Sequence, residues 1–202
     1  MRSSLSLAFL SALLAIGGPA PLGAQPARPE AAEPLPDAAA PDRRAELDKL
    51  FAELKRQRNE KAAERIAGRI WHAWFESGSP TIDLMMKWST DAIEAKKYDV
   101  ALDFLDQITV LSPDYAEGWN RRATVHYMMH SFGKSMSDIE RTLELEPRHF
   151  GALSGMAEIL KETGRKQMAL DAYHRVLDIY PMMRNAQNEL ATLSEELAGE
   201  GI

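Results

Sequence analysis

Residues 116 to 147 read AEGWNRRATVHYMMHSFGKSMSDIERTLELEP, and the pattern inside this stretch returns on both sides of it. Its closing proline, Pro147, has counterparts at Pro113 and Pro181, each 34 residues away. Laying 82 to 115, 116 to 149 and 150 to 183 over one another aligns large apolar residues at Met85, Trp119 and Leu153, at Leu105, Ile139 and Tyr173, and at Leu111, Leu145 and Ile179. Small residues coincide at Ser89, Ala123 and Ala157 and again at Ala101, Ser135 and Ala169, the places where two helices of a hairpin must approach closely. A repeat of this length is one supersecondary unit that buries its apolar face only by stacking on its neighbours, so the chain is expected to be a row of helical hairpins. Function is then to be sought on a binding surface and not in a catalytic pocket.

The second unit, with Trp119, Ala123, Tyr127, Phe132, Leu143 and Pro147, resembles a tetratricopeptide repeat (TPR). The third, with Leu153, Ala157, Gly164, Ala169, Tyr173 and Pro181, resembles one at least as closely. The resemblance covers residues 82 to 181, in a three-unit domain placed at 80 to 181, and implies an all-α solenoid, a right-handed superhelix of helical hairpins. It also implies that the first helix of each hairpin lines a concave groove that holds a peptide or partner helix. Carried onto this chain, the groove is Met86, Thr90 and Ile93, then Asn120, Thr124 and Tyr127, then Ser154, Glu158 and Lys161. Asp83, Glu117, Arg121, Met128 and Glu162 border it. The family's clamp for a terminal carboxylate needs cations and amide donors that bond both oxygens. Asn120 and Arg121 suit such a clamp, but Gly151 and Gly155 stand where the third repeat would supply cations, so a mixed apolar and polar groove is expected. Met85, Met86, Met128 and Met129 would make it adaptable, although methionine at helical spacing is more often buried packing.

Outward from the repeats, residues 1 to 24 have the form of an export signal: Arg2, an uncharged run over 5 to 16, then small residues and proline. That run is shorter than the roughly 20 apolar residues a bilayer span needs. A periplasmic location follows as an expectation, with no stable membrane insertion after cleavage. Residues 25 to 41 are rich in Pro and Ala without an apolar face and are read as a disordered tether. From Asp42, expected to cap a helix, Leu47, Leu50, Phe51 and Leu54 share one face, and a second helix from Glu60 turns Ala63, Ile66, Ala67, Ile70 and Trp74 inward. This pair, residues 42 to 79, is expected to be a degenerate repeat or a hairpin that caps the open end of the stack. Residues 182 to 202 are expected to form a C-terminal capping helix, with Met183, Ala186, Leu190, Leu193 and Leu197 inward.

The formal charge of -6 argues against broad nucleic-acid binding, which requires Lys and Arg to neutralise phosphates. Residues 42 to 69 run the other way, with nine Lys/Arg against six Asp/Glu, a pattern that a solvated helical face explains and that an anionic surface would also attract. The absence of cysteine excludes disulfides and thiolate metal sites. His126 and His130 are four apart, as zinc ligands on one helix would be, but Tyr127 stands where a metalloprotease carries Glu, and no third ligand lies near in sequence. His72, His149 and His174 are expected at surfaces or packing edges. No cofactor, metal or catalytic group is assigned.

The stretches around 75 to 81, 117 to 124 and 146 to 155 are similar to those of small exported TPR proteins of alphaproteobacteria. That likeness implies a periplasmic protein that supports cell-envelope integrity, and the leading expectation is a non-enzymatic adaptor that holds an envelope protein or a wall enzyme by an exposed segment in its groove. The alternative is a maturation chaperone that holds apocytochromes or other unfolded exported chains. A metal-dependent hydrolase at His126 and His130 is a third reading.

Overall fold

A computed structural model describes residues 39 to 200, and these form nine α-helices and no strand. They are α1 (Ala39–Arg56), α2 (Glu60–Phe75), α3 (Pro80–Glu94), α4 (Tyr98–Leu111), α5 (Ala116–Met128), α6 (Phe132–Leu145), α7 (Phe150–Glu162), α8 (Lys166–Ile179) and α9 (Arg184–Glu200). The expected signal and most of the expected tether, residues 1 to 38, lie outside the described residues. Asp42 does not cap α1. The helix starts three residues earlier and takes in Pro41, a residue that the first turn accepts because its missing N–H has no partner to lose there.

The period seen in sequence is a period of hydrogen bonds. Each hairpin turns at a residue in the left-handed region: Lys96 (φ 55°), His130 (φ 53°) and Gly164 (φ 74°), again 34 apart. The next N–H in each case reaches back across the helix end, Lys97 to the Ala92 carbonyl, Ser131 to that of His126 and Arg165 to that of Leu160, each at 2.8 Å. This is a helix stop that satisfies orphan carbonyls, and glycine meets its backbone demand without strain in the third hairpin only. Within the hairpins the small residues do as expected: Ser89, Ala123, Ala157, Ala101, Ser135 and Ala169 are all buried. Ser135 Oγ also donates to the Ala123 carbonyl at 2.8 Å, tying α6 to α5.

Successive units stack by setting α5 on α4, α7 on α6 and α9 on α8. At the first of these steps Gly118 lies against Ile108 so closely that a Cβ would come within 2.8 Å of it. Arg122 staples the same step: its Nε and Nη2 donate to the two Asp138 carboxylate oxygens at 2.8 and 2.7 Å, and its Nη1 donates to Asp106 at 2.8 Å. A planar fork held bidentate joins α4, α5 and α6 in one geometry.

The N-terminal pair departs from expectation. Its inward faces are as read, with Leu50, Phe51, Leu54, Ala63, Ile66, Ala67, Ile70 and Trp74 buried. However, α2 does not stack along α3 to close the end of the row; it packs on α5, while α1 packs on α8. Its buried residues share one core with Phe150, Leu153, Leu160, Tyr173, Val176 and Tyr180 of the third repeat. At the other end α9 packs on α8 and buries Ala186 and Leu193.

Candidate functional site: a half-covered groove

The groove expected on α3, α5 and α7 is occupied at one end by the protein's own α2. Trp71 sets its ring edge on His149 and Phe150, with centroids 5.5 Å away in both cases, and fills the space above Gly151. A Cβ at Gly151 would lie 2.5 Å from the Trp71 ring, so glycine is there to seat an indole and not because a cation has been lost. Trp74 stacks flat on His149 at 4.0 Å and 9°. Phe75 lies under the Arg121 guanidinium at 4.8 Å, an arrangement in which the ring face attracts the cation. The Tyr115 hydroxyl donates to the Phe75 carbonyl at 2.9 Å and closes the end of α2 onto the α4–α5 loop. Burial first, and then the Glu117 charge, raises the pKa of that phenol.

His149 is fully buried, against the expectation that it would sit at an edge. Its Nδ1 accepts the Ala152 N–H at 3.1 Å and so caps α7. A backbone N–H can only donate, so the ring proton is on Nε2, from which it reaches Glu117 Oε2 at 3.1 Å. Asn120 Nδ2 donates to the same oxygen at 2.9 Å, and Arg121 Nη2 stands 3.5 Å from the other. Glu117 is thus a buried carboxylate with two hydrogen bonds on Oε2, while its Oε1 accepts none among the described residues and has only the Arg121 charge beside it. Outside this core, Arg148 lies over Phe51 at 4.2 Å and pairs with Asp48 and Glu146, and Arg184 pairs with Glu60 at 2.6 Å. A cleft of about 600 Å³ between α1 and the α4–α5 and α6–α7 loops is lined by charges of both signs, Arg148 and its partners among them.

The sequence-derived groove residues therefore divide. Met86, 3 % exposed, and Asn120, 8 % exposed, are closed off: Met86 packs in the α3–α4 core and Asn120 serves Glu117. Arg121 is committed to Phe75 and Glu117. Thr90 and Ile93 are half-buried, and the Thr90 hydroxyl donates to the Met86 carbonyl. On α5 and α7 a stretch stays open. Thr124 and Tyr127 line a hollow of about 130 Å³ with Gly151 and Gly155, and Met128 beside them is exposed. Tyr127 donates to Glu162, which with burial pushes its pKa up to about 12. Ser154 Oγ donates to the Phe150 carbonyl. Lys161 bonds Glu158 at 2.8 Å and Glu189 of α9 at 2.7 Å; burial works against its charge, but the two carboxylates outweigh it and raise the pKa. Glu158 also accepts from the Tyr173 hydroxyl.

Three comparisons bear on this architecture. No protein-family model matches the chain. A TPR repeat-containing protein of Rhizobium etli is 55 % identical over 153 residues, which is 76 % of this chain and 75 % of that one. The chain is a TPR protein. Among solved structures, the first TPR domain of Spaghetti bound to an HSP90 peptide superposes with a TM-score of 0.56 at 23 % identity, covering 58 % of this chain and 93 % of that one. A TPR domain of yeast Sti1 in complex with an Hsp70 peptide gives 0.54 at 14 %, covering 58 % and 99 %. At that identity the two show the fold alone.

In this TPR protein the two clamp residues, Asn120 and Arg121, already have partners within the molecule. His126 and His130 do not share a helix, because α5 ends at Met128 and His130 lies in the turn, its ring against Phe132. Among the described residues no three His, Asp or Glu side chains converge as metal ligands would, and no helix is long and apolar enough to cross a membrane. What the sequence reading missed is the aromatic dock. The WHAWF run at 71 to 75 with Gly151 was its one available signal.

Proposed function

We propose that this TPR protein is a non-enzymatic adaptor that holds an exposed segment of another protein in the uncovered part of its groove. The row Thr124, Tyr127 and Met128 carries the reading: it offers an apolar thioether, a ring and hydroxyl oxygens that can accept on one rigid helix. With Asn120 and Arg121 engaged by Glu117 and Phe75, the ligand is recognised along its length and not by a terminal carboxylate. The peptides held by two proteins of the same fold support a polypeptide as the class of ligand. The reading extends to the periplasm and the cell envelope, to which the pattern of residues 1 to 24 would direct the chain, and to an envelope protein or wall enzyme as partner.

The test is Thr124→Arg combined with Met128→Glu, which changes bulk and charge in the open stretch without touching the dock. Partner recovery from cross-linked cells is expected to fall at least about tenfold while helicity and the unfolding midpoint stay put, a loss in the range of one good interface contact. Unaltered recovery with the fold intact would show that the partner binds elsewhere. Fractionation of the host cell tests the location separately.

A further inference from the structure

The turn that joins α1 to α2 concentrates positive charge in a chain whose formal charge is -6. Residues 55 to 65 hold five of its 24 Lys and Arg, namely Lys55, Arg56, Arg58, Lys61 and Arg65, against two of its 30 Asp and Glu. All five cations are exposed. One of the two acids, Glu60, is taken by Arg184 at 2.6 Å. Lys55, Arg56, Lys61 and Arg65 form no ion pair among the described residues, whereas Arg69, further along α2, is held by Glu46 at 2.9 Å. Lys55 and Arg56 have a local reason, since they close the last turn of α1, where the helix dipole favours cations. Lys61 has the opposite setting: it lies in the first turn of α2, where the dipole disfavours a cation. Arg65 is four residues on and shares its face. The turn is also fixed in shape. Arg58 Nη1 donates to the Lys55 and Gln57 carbonyls at 3.0 and 3.1 Å, and Gln57 Oε1 accepts the Arg58 and Asn59 N–H groups, each at 2.9 Å. Asn59 Oδ1 in turn caps α2 through the Ala62 N–H.

We propose that this turn is a docking point for the surface of a bilayer that carries anionic phospholipid headgroups. Charge complementarity calls for an anionic occupant, and what the turn lacks selects a membrane among them. A protein interface is anchored by large apolar side chains at its centre, and residues 55 to 65 expose none. Leu54 and Ile66 on either side are 0 % and 5 % exposed and belong to the core. A nucleic-acid duplex needs neutralising cations along a length that this net-acidic chain provides at one turn. A bilayer asks only for Lys and Arg within reach of its surface potential, each worth about fivefold in partition. The contact is peripheral and reversed by salt, because no apolar side chain is there to enter hydrocarbon. The turn closes α1 at the end away from Ala39, about 27 Å along the helix. None of its residues lines the hollow at Thr124 and Tyr127, so the two surfaces are independent.

Flotation of the full chain with vesicles reads the contact. At about 20 mM salt, vesicles of equal parts phosphatidylglycerol and phosphatidylcholine are expected to retain the chain at least about tenfold better than phosphatidylcholine alone, and about 0.5 M salt should abolish the difference. Combining Lys55→Gln, Arg56→Gln, Lys61→Gln and Arg65→Gln should remove the gain; Arg58 stays in place because it holds the end of α1. Combining Lys96→Gln, Lys97→Gln, Arg165→Gln and Arg175→Gln, the same change in net charge at exposed sites elsewhere, should leave most of it. The uncharged run over 5 to 16 is common to every form, so the differences read the cations alone. The salt and lipid comparison stands on the native chain even if the turn variant fails to fold. No gain on anionic vesicles from the native chain, a gain that the folded turn variant keeps, or an equal loss from both variants would each overturn the proposal.

Discussion

The indole of Trp74 lies flat on the imidazole of His149, centroids 4.0 Å apart, and joins the end of α2 to the start of α7, across the four helices that lie between them in sequence. On one side of that stack is the N-terminal hairpin; on the other is a histidine that caps α7 and bonds the buried Glu117. Trp74 Nε1 finds no acceptor within the interface, so the ring is held there by its faces. Trp74→Ala is expected to cost about 3–5 kcal/mol, the usual penalty for emptying a large aromatic site. A double-mutant cycle with His149→Ala should return a coupling of about 1 kcal/mol for the stacked pair, and urea melts give both numbers. Additive losses would mean that the two rings stabilise the fold independently.

Gly151→Val sets a branched side chain where the Trp71 ring now lies 2.5 Å from an added Cβ. The helix would gain a little from losing glycine, but overpacking is worth more, and a net loss of about 1–3 kcal/mol is expected. Combining it with Trp71→Ala should recover part of the loss. A double variant less stable than the sum of the two single losses would contradict the seat.

Lys96 and His130 occupy left-handed turn positions that the third hairpin gives to Gly164. Replacing either by glycine removes a steric cost and adds some unfolded-state entropy, for an expected net gain of about 0.5–1 kcal/mol. Thermal melts of Lys96→Gly and His130→Gly check this; lower midpoints in both would refute it.

His126 is held below the ordinary imidazole value of 6.5 by burial first, which outweighs the Asp138 charge, while Arg122 and Lys134 push the same way as burial and Asp106 opposes them. Below about pH 6.5 the unfolded chain therefore binds a proton that the folded chain takes up only at lower pH. Stability from this site is complete above that value and is lost as pH falls through it. His126→Gln should shrink the drop in urea midpoint between pH 7.5 and 5.5, and an undiminished drop would assign the slope to other groups.

Much of this molecule was legible before any coordinates. Pro113, Pro147 and Pro181 marked the repeats, and the buried set of α2 is the one its periodicity indicated. The groove was legible only as a row of positions. Thr124, Tyr127 and Met128 remain available there, whereas Met86 and Asn120 are closed, Met86 within its own hairpin and Asn120 on Glu117. Asp42 was misread because a capping residue and a first-turn acid look alike in sequence, both favouring the positive end of a helix.

Local spacing determined which residues pair into hairpins, since helix contacts three and four apart and the stops at 96, 130 and 164 need nothing from afar. The tertiary structure alone decided where the first hairpin goes. Its apolar face states that it must be buried but not against what, because the hydrophobic effect has no direction. The choice was made by a seat assembled from distant positions, Gly151 leaving room for Trp71, His149 offering a flat ring to Trp74 and Arg121 a cation to Phe75. That choice covered half the groove and left Leu84 and Trp88 at the surface.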